Sequence, residues 1–445
     1  MDLLMRDTIA ACATAPGAAG IAVIRISGSR AEEILGQVFT PRSHQGKMEH
    51  GRLYLGTLHD GPKDIDECMA VVMRAPKSYT RQDVAEIQLH GSAYSVTACL
   101  NALTAAGARP AEPGEFTLRA YLNGRIDLSQ AESVMSLIQA NNERAGQSAL
   151  RQLNGGASRF IGEAQAELVS ILAQVEAAID YPEEVDDPAE DEALAKRCRA
   201  LSDRLTDAAK ERAARLIRDG LHVALLGPPN AGKSTLLNAL LGEDKAIVTD
   251  IPGTTRDVLT GSFTLDGYSV TLYDTAGIHE TADQIERLGI DRTYRAALQA
   301  DAVWWLTDLT APGSTELPEA VRTSGLPVLK VYTQLDRLPP DAPLPRDGIA
   351  VSAVTGQGLD LLKAELSSMF AQLPDTPLTQ QRHIQAAWEA AASLQEAAKA
   401  LDEHLSQEFA AVHLHAALET LGAITGEQTD ERLLDEIFSN FCVGK

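Results

Sequence analysis

Gly227-Pro228-Pro229-Asn230-Ala231-Gly232-Lys233-Ser234 is the stretch that decides how this chain is read. It fits G-x-x-x-x-G-K-[ST], the phosphate-binding loop, in the setting that motif needs: a short apolar run ahead of it (221–226) predicts a buried strand, and 235–241 predicts the apolar start of a helix. In such a loop glycines let backbone N–H groups curl around phosphate oxygens, and the helix N-terminus adds positive potential. Asn230, Ala231, Gly232, Lys233, Ser234 and Thr235 are therefore candidate phosphate contacts. Lys233 is expected to reach the β- and γ-phosphates, where it counts as catalytic, and Ser234 to hold Mg2+.

Companion signals follow in order. Residues 250–257, Asp-Ile-Pro-Gly-Thr-Thr-Arg-Asp, are polar and contain Gly, which predicts a loop able to offer a threonine to Mg2+. Segments 263–265 and 270–273 alternate like strands across an Asp266-Gly267 turn. The second strand runs into Asp274, a candidate Mg2+ contact through water, and then Gly277, whose N–H can meet a γ-phosphate. Segment 327–332 reads as a buried strand ending in Thr333-Gln334-Leu335-Asp336. Segment 349–351 reads as another, ending in Ser352 and Ala353, candidate contacts on the base side. Strands alternating with helices in this way predict a guanine-nucleotide domain around a mostly parallel sheet.

The chain has 445 residues, which predicts more than one domain. Apolar residues make up 44% and aromatics 4%; no run has the apolar length of a membrane span, and the N-terminus carries no signal-peptide charge pattern. The five cysteines are dispersed and odd in number, which argues for a reducing compartment, expected to be the cytoplasm, and against a disulfide framework or zinc site. A net charge of −23 repels bare nucleic acid unless a local basic patch or a basic partner intervenes.

Mixed patterning over 1–122 predicts an α+β domain, with strands at 20–26 and 83–89, a helix through Leu103 and a turn at 112–116. From Ser129 the period becomes helical. Ser129-Gln130-Ala131-Glu132 reads as a capping box opening one helix to Asn154. Ile161, Ala164, Leu168, Ile171, Val175 and Ile179 mark a second helix. The acidic run 183–192 reads as a solvated loop, and a further helix is expected over 201–217. Helices recur at 359–370, 381–405 and 410–424. Leu434, Ile437, Phe438 and Phe441 share one helical face before the terminal Cys442-Val443-Gly444-Lys445. The expected domains are 1–122 (α+β), 123–218 (helical, first part), 219–372 (nucleotide domain) and 373–445 (helical, second part). The nucleotide domain is thus inserted in a discontinuous helical domain.

With Asp7-Thr8-Ile9-Ala10, Ile24-Arg25-Ile26-Ser27-Gly28, Pro113-Gly114-Glu115-Phe116, Asp127 to Glu132, the two nucleotide motifs and the Cys-Val-Gly-Lys end in view, the chain resembles the MnmE (TrmE) family of tRNA-modifying GTPases over essentially its whole length. The resemblance implies an N-terminal domain that binds tetrahydrofolate and dimerises, and a P-loop GTPase domain inserted in the helical one. It implies GTP-driven modification of carbon 5 of the wobble uridine of certain tRNAs, with a flavoprotein partner (MnmG, also called GidA) and a one-carbon donor such as 5-formyltetrahydrofolate. It assigns a potassium ion to Asn230, Thr249, Ile251 and Thr254, and Mg2+ to Ser234 and Thr255. It makes Glu286, which alone is one charge in a polar segment, the residue that positions the attacking water. A monovalent cation there would neutralise transition-state charge as an arginine finger does. Arg25, Glu86, Arg125 and Lys445 match the folate positions, and Cys442 matches a terminal cysteine with a candidate catalytic role.

Two departures stand out. Arg125 replaces an expected lysine, which keeps charge but changes geometry. The guanine motif Asn-Lys-x-Asp reads Thr333-Gln334-Leu335-Asp336. Asp336 can still accept from the guanine N1–H and amine. Thr333 is expected to lose the asparagine's bridging bonds, and Gln334 to cover the base less well. Weaker GTP binding with retained guanine preference is the expectation. The competing reading of the same nucleotide domain is a regulatory switch in ribosome or RNA assembly without covalent chemistry; a scaffold for a flavoprotein is a third.

Overall fold

The computed structural model describes residues 7–43, 46–181, 188–243, 259–274, 300–311, 317, 319–323, 325–371, 373, 376–403, 405–427 and 431–444. By its internal contacts the chain forms two compact units, one of residues 1–138, 151–203 and 389–445, the other of 139–150 and 204–388. The expected nucleotide domain, 219–372, falls within the second.

The first unit opens with a seven-stranded sheet: β1 (Ile9–Cys12), β2 (Ala19–Ser27), β3 (Phe39–Pro41), β4 (Tyr54–Asp60), β5 (Lys63–Met73), β6 (Val84–Gly91) and β7 (Arg109–Pro110), in the order β3-β4-β5-β6-β2-β1-β7. All pairs are antiparallel except β1 with β7. The alternation expected at 20–26 and 83–89 is borne out as β2 and β6, with Ile24 opposite Ile87. Ile24, Ile26 and Ile87 join Ile34, Leu35 and Leu103 of the helices Ala31–Val38 and Ala93–Ala105 in one core. The expected turn at 112–116 is shorter than read: the helix Glu115–Leu122 already starts at Glu115.

That helix carries a buried charge cluster. Arg119, 1% exposed, donates to Asp7 Oδ1 at 2.6 Å, Glu115 Oε1 at 2.8 Å and the Asp7 carbonyl at 3.0 Å. Arg109 donates to Asp7 Oδ2 at 2.7 Å and to Glu115 Oε1 at 2.7 Å. Two guanidiniums and two carboxylates thus join the chain start, β7 and the helix. Burial works to raise the Asp7 carboxyl, but hydrogen bonds and charge from Arg109 and Arg119 outweigh it and hold it below its ordinary 3.8. A depressed folded-state carboxyl stabilises above its unfolded value and ceases to do so as pH falls through the folded one. Asp7→Asn is therefore expected to lower stability at neutral pH, with the gap to wild type closing below about pH 4. Urea midpoints taken from pH 7 to 2.5 check this; solvent at the partly open Asp7 side chain keeps the effect modest.

The helical expectation holds in kind and shifts in detail. One helix was expected over 129–154; there are two, Leu128–Gln139 and Glu143–Leu153. The break has a local cause: the Asn142 side chain accepts from the Ala145 N–H at 2.8 Å and so starts a new helix. The capping box sits two residues earlier than read. Asp127 Oδ1 accepts from Gln130 N at 2.9 Å, and Gln130 Oε1 accepts from Asp127 N at 3.0 Å. Residues 188–192 of the acidic run are not loop but the opening of the helix Pro188–Ala208. Proline at a helix start and acids in the first turn suit the free N–H groups there. Residues 183–187 lie outside the described residues. The helix Glu211–Asp219 follows separately, because Thr376 donates to the Ala208 carbonyl at 2.5 Å and closes the preceding end.

In the first unit Gly156–Asp180 packs along Gln407–Thr425, burying Ile161, Ala164, Leu168, Ile171 and Val175; Ile179 is only half-buried. The last helix, Glu431–Ser439, seats Leu434 and Phe438, with Phe441, against Ala120, Ile126, Leu128 and Ala131.

The second unit is built on a six-stranded sheet: β8 (Leu221–Leu226), β9 (Leu259–Leu265), β10 (Tyr268–Asp274), β11 (Ala302–Asp308), β12 (Val328–Thr333) and β13 (Ile349–Ala350), ordered β13-β12-β11-β8-β10-β9. Only β9 with β10 is antiparallel, across Asp266 (φ 52°) and Gly267 (φ 81°). The predicted strands at 221–226, 263–265, 270–273, 327–332 and 349–351 all appear. The central strand β11, with Trp304 and Trp305 buried, had no counterpart in the sequence reading.

Candidate functional site

The strand order reverses about β8: the chain passes to β10 on one side and to β11 on the other. Open parallel sheets bind ligands outside the carboxyl ends of their strands at such a point. The loop 227–232 leaves β8 there and the helix Lys233–Glu243 follows. Gly227 lies at φ 150°, where a Cβ would come within 2.3 Å of the Leu306 carbonyl oxygen, so only glycine lets the loop pass this close to β11. Asn230 is at φ 63° with its side chain exposed. Ala231 is buried, while Gly232, Ser234 and Thr235 are open to solvent in part or fully.

Lys233 is 7% exposed, and its Nζ donates to the carbonyls of Gly227 at 2.8 Å and Pro228 at 2.9 Å. Burial lowers its pKa, and the charge of Asp274 works against that. Asp274, fully buried at the end of β10, accepts from Ser234 Oγ at 2.5 Å. A hydroxyl and a carboxylate held this close at the mouth of a phosphate loop suit a hydrated Mg2+, which takes few protein ligands and several waters. The donor set therefore fits a nucleotide triphosphate with Mg2+.

The base side lies at the ends of β11, β12 and β13. Ser352, fully buried, donates to Asp336 Oδ1 at 2.6 Å, and the adjoining Ala353 is half-buried. Asp336 itself is exposed, with acceptor capacity left for a guanine edge. Thr333 keeps one bond where an asparagine amide would offer two donors and an acceptor. Its hydroxyl donates to the Ala231 carbonyl at 2.9 Å, tying β12 to the phosphate loop, with the Thr307 carbonyl of β11 an alternative acceptor at 3.3 Å. The Thr307 carbonyl is near because β11 and β12 are in register, Asp308 opposite Thr333. Gln334 sits at φ 61° and its amide donates to Asp308 Oδ2. Asp308 was missed from sequence; the available signal was an acid closing the apolar run 302–306.

Several assigned residues lie outside the described ones: Thr249, Ile251, Thr254, Thr255, Gly277, Glu286 and Lys445.

The first unit holds a second constellation. Arg25 on β2 donates to Glu86 on β6 at 2.8 Å, and these two are cross-strand partners. The Arg25 guanidinium lies 5.2 Å from the Tyr79 ring centre and 5.8 Å from that of Phe116. Arg125 lies 4.6 Å from Tyr79. The chain end comes to the same place: Val443 pairs with Pro113, and the Gly444 carbonyl accepts from Arg25 at 3.5 Å. Gly444, at φ 97°, is where a Cβ would meet the Cys12 carbonyl oxygen at 2.3 Å. Glu86 Oε2 has no protein partner among the described residues, so a carboxylate edge framed by rings and guanidiniums fits a flat amino-heterocycle with an acidic tail. The structure thus brings Arg25, Glu86 and Arg125 together with the tail that bears Cys442; Tyr79 is the member that sequence reading missed.

Cys442 is exposed, whereas Cys68, Cys99 and Cys198 are buried. Burial pushes the Cys68 thiol up to about 12 and that of Cys198 to about 11. Native protein treated with a disulfide reagent near pH 8 is expected to label Cys442 first and these two only after unfolding; mass mapping of the adducts checks the order.

Two family models match: "GTP-binding protein TrmE N-terminus" over residues 8–125 and "MnmE helical domain" over 128–442. Curated proteins named tRNA modification GTPase MnmE are similar throughout. That of Alkalilimnicola ehrlichii is 43% identical, with 99% of this chain and 100% of the relative covered. That of Thermus thermophilus is 41% identical, with the same coverage. Among solved structures, the G domain of the T. maritima FeoB iron transporter is 29% identical over 34% of this chain and 99% of that one, at a TM-score of 0.25. Identity of this order along the entire length, with both family models matched, shows that the chain belongs to the MnmE family of tRNA modification GTPases.

Proposed function

We propose that this GTP hydrolase is stimulated by potassium and, with a flavoprotein partner of the MnmG kind, modifies carbon 5 of the wobble uridine of certain tRNAs in the cytoplasm, taking the carbon from a tetrahydrofolate such as 5-formyltetrahydrofolate. The observation that carries this reading is the pair of sites: a phosphate loop at the switch point of one unit, and in the other an Arg25–Glu86 pair walled by Tyr79 and Phe116 and met by the chain end. A switch in RNA assembly has no use for the second.

Lys233 and the loop N–H groups bind the triphosphate, Ser234 and Thr255 hold Mg2+, and Asn230 with Thr249, Ile251 and Thr254 holds potassium. Asp274 and Gly277 complete the γ-phosphate end, Glu286 orients water, and Asp336, Ser352 and Ala353 select guanine. Arg25, Glu86, Arg125 and Lys445 bind the folate, which supplies the one-carbon unit, and Cys442 stands beside it. Residues 1–122 also carry the homodimer contact, 219–372 form the GTPase domain, and 123–218 with 373–445 form the helical one.

Nucleoside analysis of tRNA from cells lacking the protein tests the reading: wobble uridines are expected to lose their carbon-5 groups. GTP turnover in potassium against sodium, and calorimetry with 5-formyltetrahydrofolate, test its parts. Normal turnover with fully modified tRNA and no folate heat would leave the assembly switch as the better account.

A further inference from the structure

We propose that a cleft beside the Arg25–Glu86 pair is a subsite for the γ-linked polyglutamate chain of a folate; this rests on the folate reading above. The cleft is open to solvent, offers about 400 Å³ and is lined by Lys77, Arg81 and Arg125, with Tyr79 and Met73 among its walls. Tyr79 links it to the pair, since its ring receives Arg125 at 4.6 Å and Arg25 at 5.2 Å.

Charge is what marks this cleft. The chain carries −23, yet no carboxylate lines the cavity among the described residues. Four guanidiniums of the same amino-terminal domain are paired with acids: Arg25 with Glu86, Arg74 with Glu32, and Arg109 and Arg119 with Asp7 and Glu115. The cleft cations are not. Arg81 donates to the Asn123 carbonyl at 3.0 Å, Arg125 lies against Tyr79, and the Lys77 side chain has no partner among the described residues. Three like charges gathered without a counter-charge repel one another, and an anion relieves that.

The chemistry of the anion follows from position. A folate whose ring edge meets Glu86 ends in a glutamate, and each further γ-glutamyl residue adds one carboxylate. Arg125, which shares Tyr79 with Arg25, is the cleft cation tied to the pair, and Lys77 and Arg81 line the same cleft. Nucleic acid fits less well. Single strands are held by stacking bases on free rings, whereas the one aromatic of this cleft, Tyr79, already meets two guanidiniums.

The test is calorimetric titration of the full-length protein with 5-formyltetrahydrofolate as monoglutamate and as triglutamate. Exposed charge pairs each contribute roughly 1.5- to 5-fold. The triglutamate is therefore expected to bind on the order of tenfold more tightly, with the advantage shrinking in salt. In K77Q/R81Q the advantage falls below about twofold while the monoglutamate Kd holds. K77Q alone, which breaks no bond of the fold, loses part of it. Equal affinities in wild type, or an advantage that survives the double substitution, overturn the subsite alone. Failure of both folates to bind overturns the folate reading and the subsite with it. Loss of tRNA affinity in K77Q/R81Q with the triglutamate advantage intact reassigns the cleft to nucleic acid and overturns the proposal.

Discussion

Lys233→Ala is expected to slow GTP hydrolysis by a factor on the order of 10²–10³, the loss that follows removal of one preorganised charge-stabilising donor. Its ammonium is buried and points back at the loop, where the Gly227 and Pro228 carbonyls hold it at 2.8 and 2.9 Å. Those neutral acceptors are what phosphate oxygens replace, and charge-assisted bonds to an anion are about twice as strong as neutral ones. Burial has already made the bare cation costly, as its lowered pKa records. The gain is therefore realised only with the anion in place, and grows as negative charge spreads over the transferring phosphoryl group. Lys233→Gln separates charge from hydrogen bonding: it keeps a donor in the loop and should fall nearly as far as alanine. Single-turnover hydrolysis at saturating protein reads the chemical step. A variant within about fivefold of wild type at that step would remove Lys233 from the catalytic set, whatever its effect on affinity.

How much of this was legible in sequence depended on the range of the forces involved. The β8–loop–helix unit and the Asp266-Gly267 hairpin were readable because their causes are local: a buried run, then residues whose backbone must turn. The helix break at Asn142 was signalled by Asn141-Asn142-Glu143 and still passed over, since periodicity on either side suggested continuity. The end at Ala208 was not legible at all; the hydroxyl that closes it belongs to Thr376, far along the chain. Thr333 shows the same limit in the nucleotide site. Residue type suggested lost bonds, and only the fold shows that its hydroxyl keeps one, to the Ala231 carbonyl. Resemblance named Arg25, Glu86 and Arg125, but only the fold shows that Tyr79 joins them.

Arg119→Ala is expected to cost the first unit about 3–5 kcal/mol, the range for removing one partner of a buried ion pair. The side chain is 2% exposed and that of Glu115 only 5%. Truncation withdraws bonds to Asp7 Oδ1, Glu115 Oε1 and the Asp7 carbonyl together, and leaves a void where a long planar group was packed. Arg109 still faces both carboxylates, which places the loss inside that range instead of above it. Arg119→Lys keeps the charge but offers one compact ammonium to acceptors arranged for a fork, so it should recover less than half. Urea unfolding followed by a probe confined to the amino-terminal sheet gives the measurement. An Arg119→Ala midpoint matching wild type would show that Arg119 adds nothing net to what Arg109 already holds. The folding role of Asp7 and Glu115 would then rest on Arg109, and Arg109→Ala would carry the larger loss.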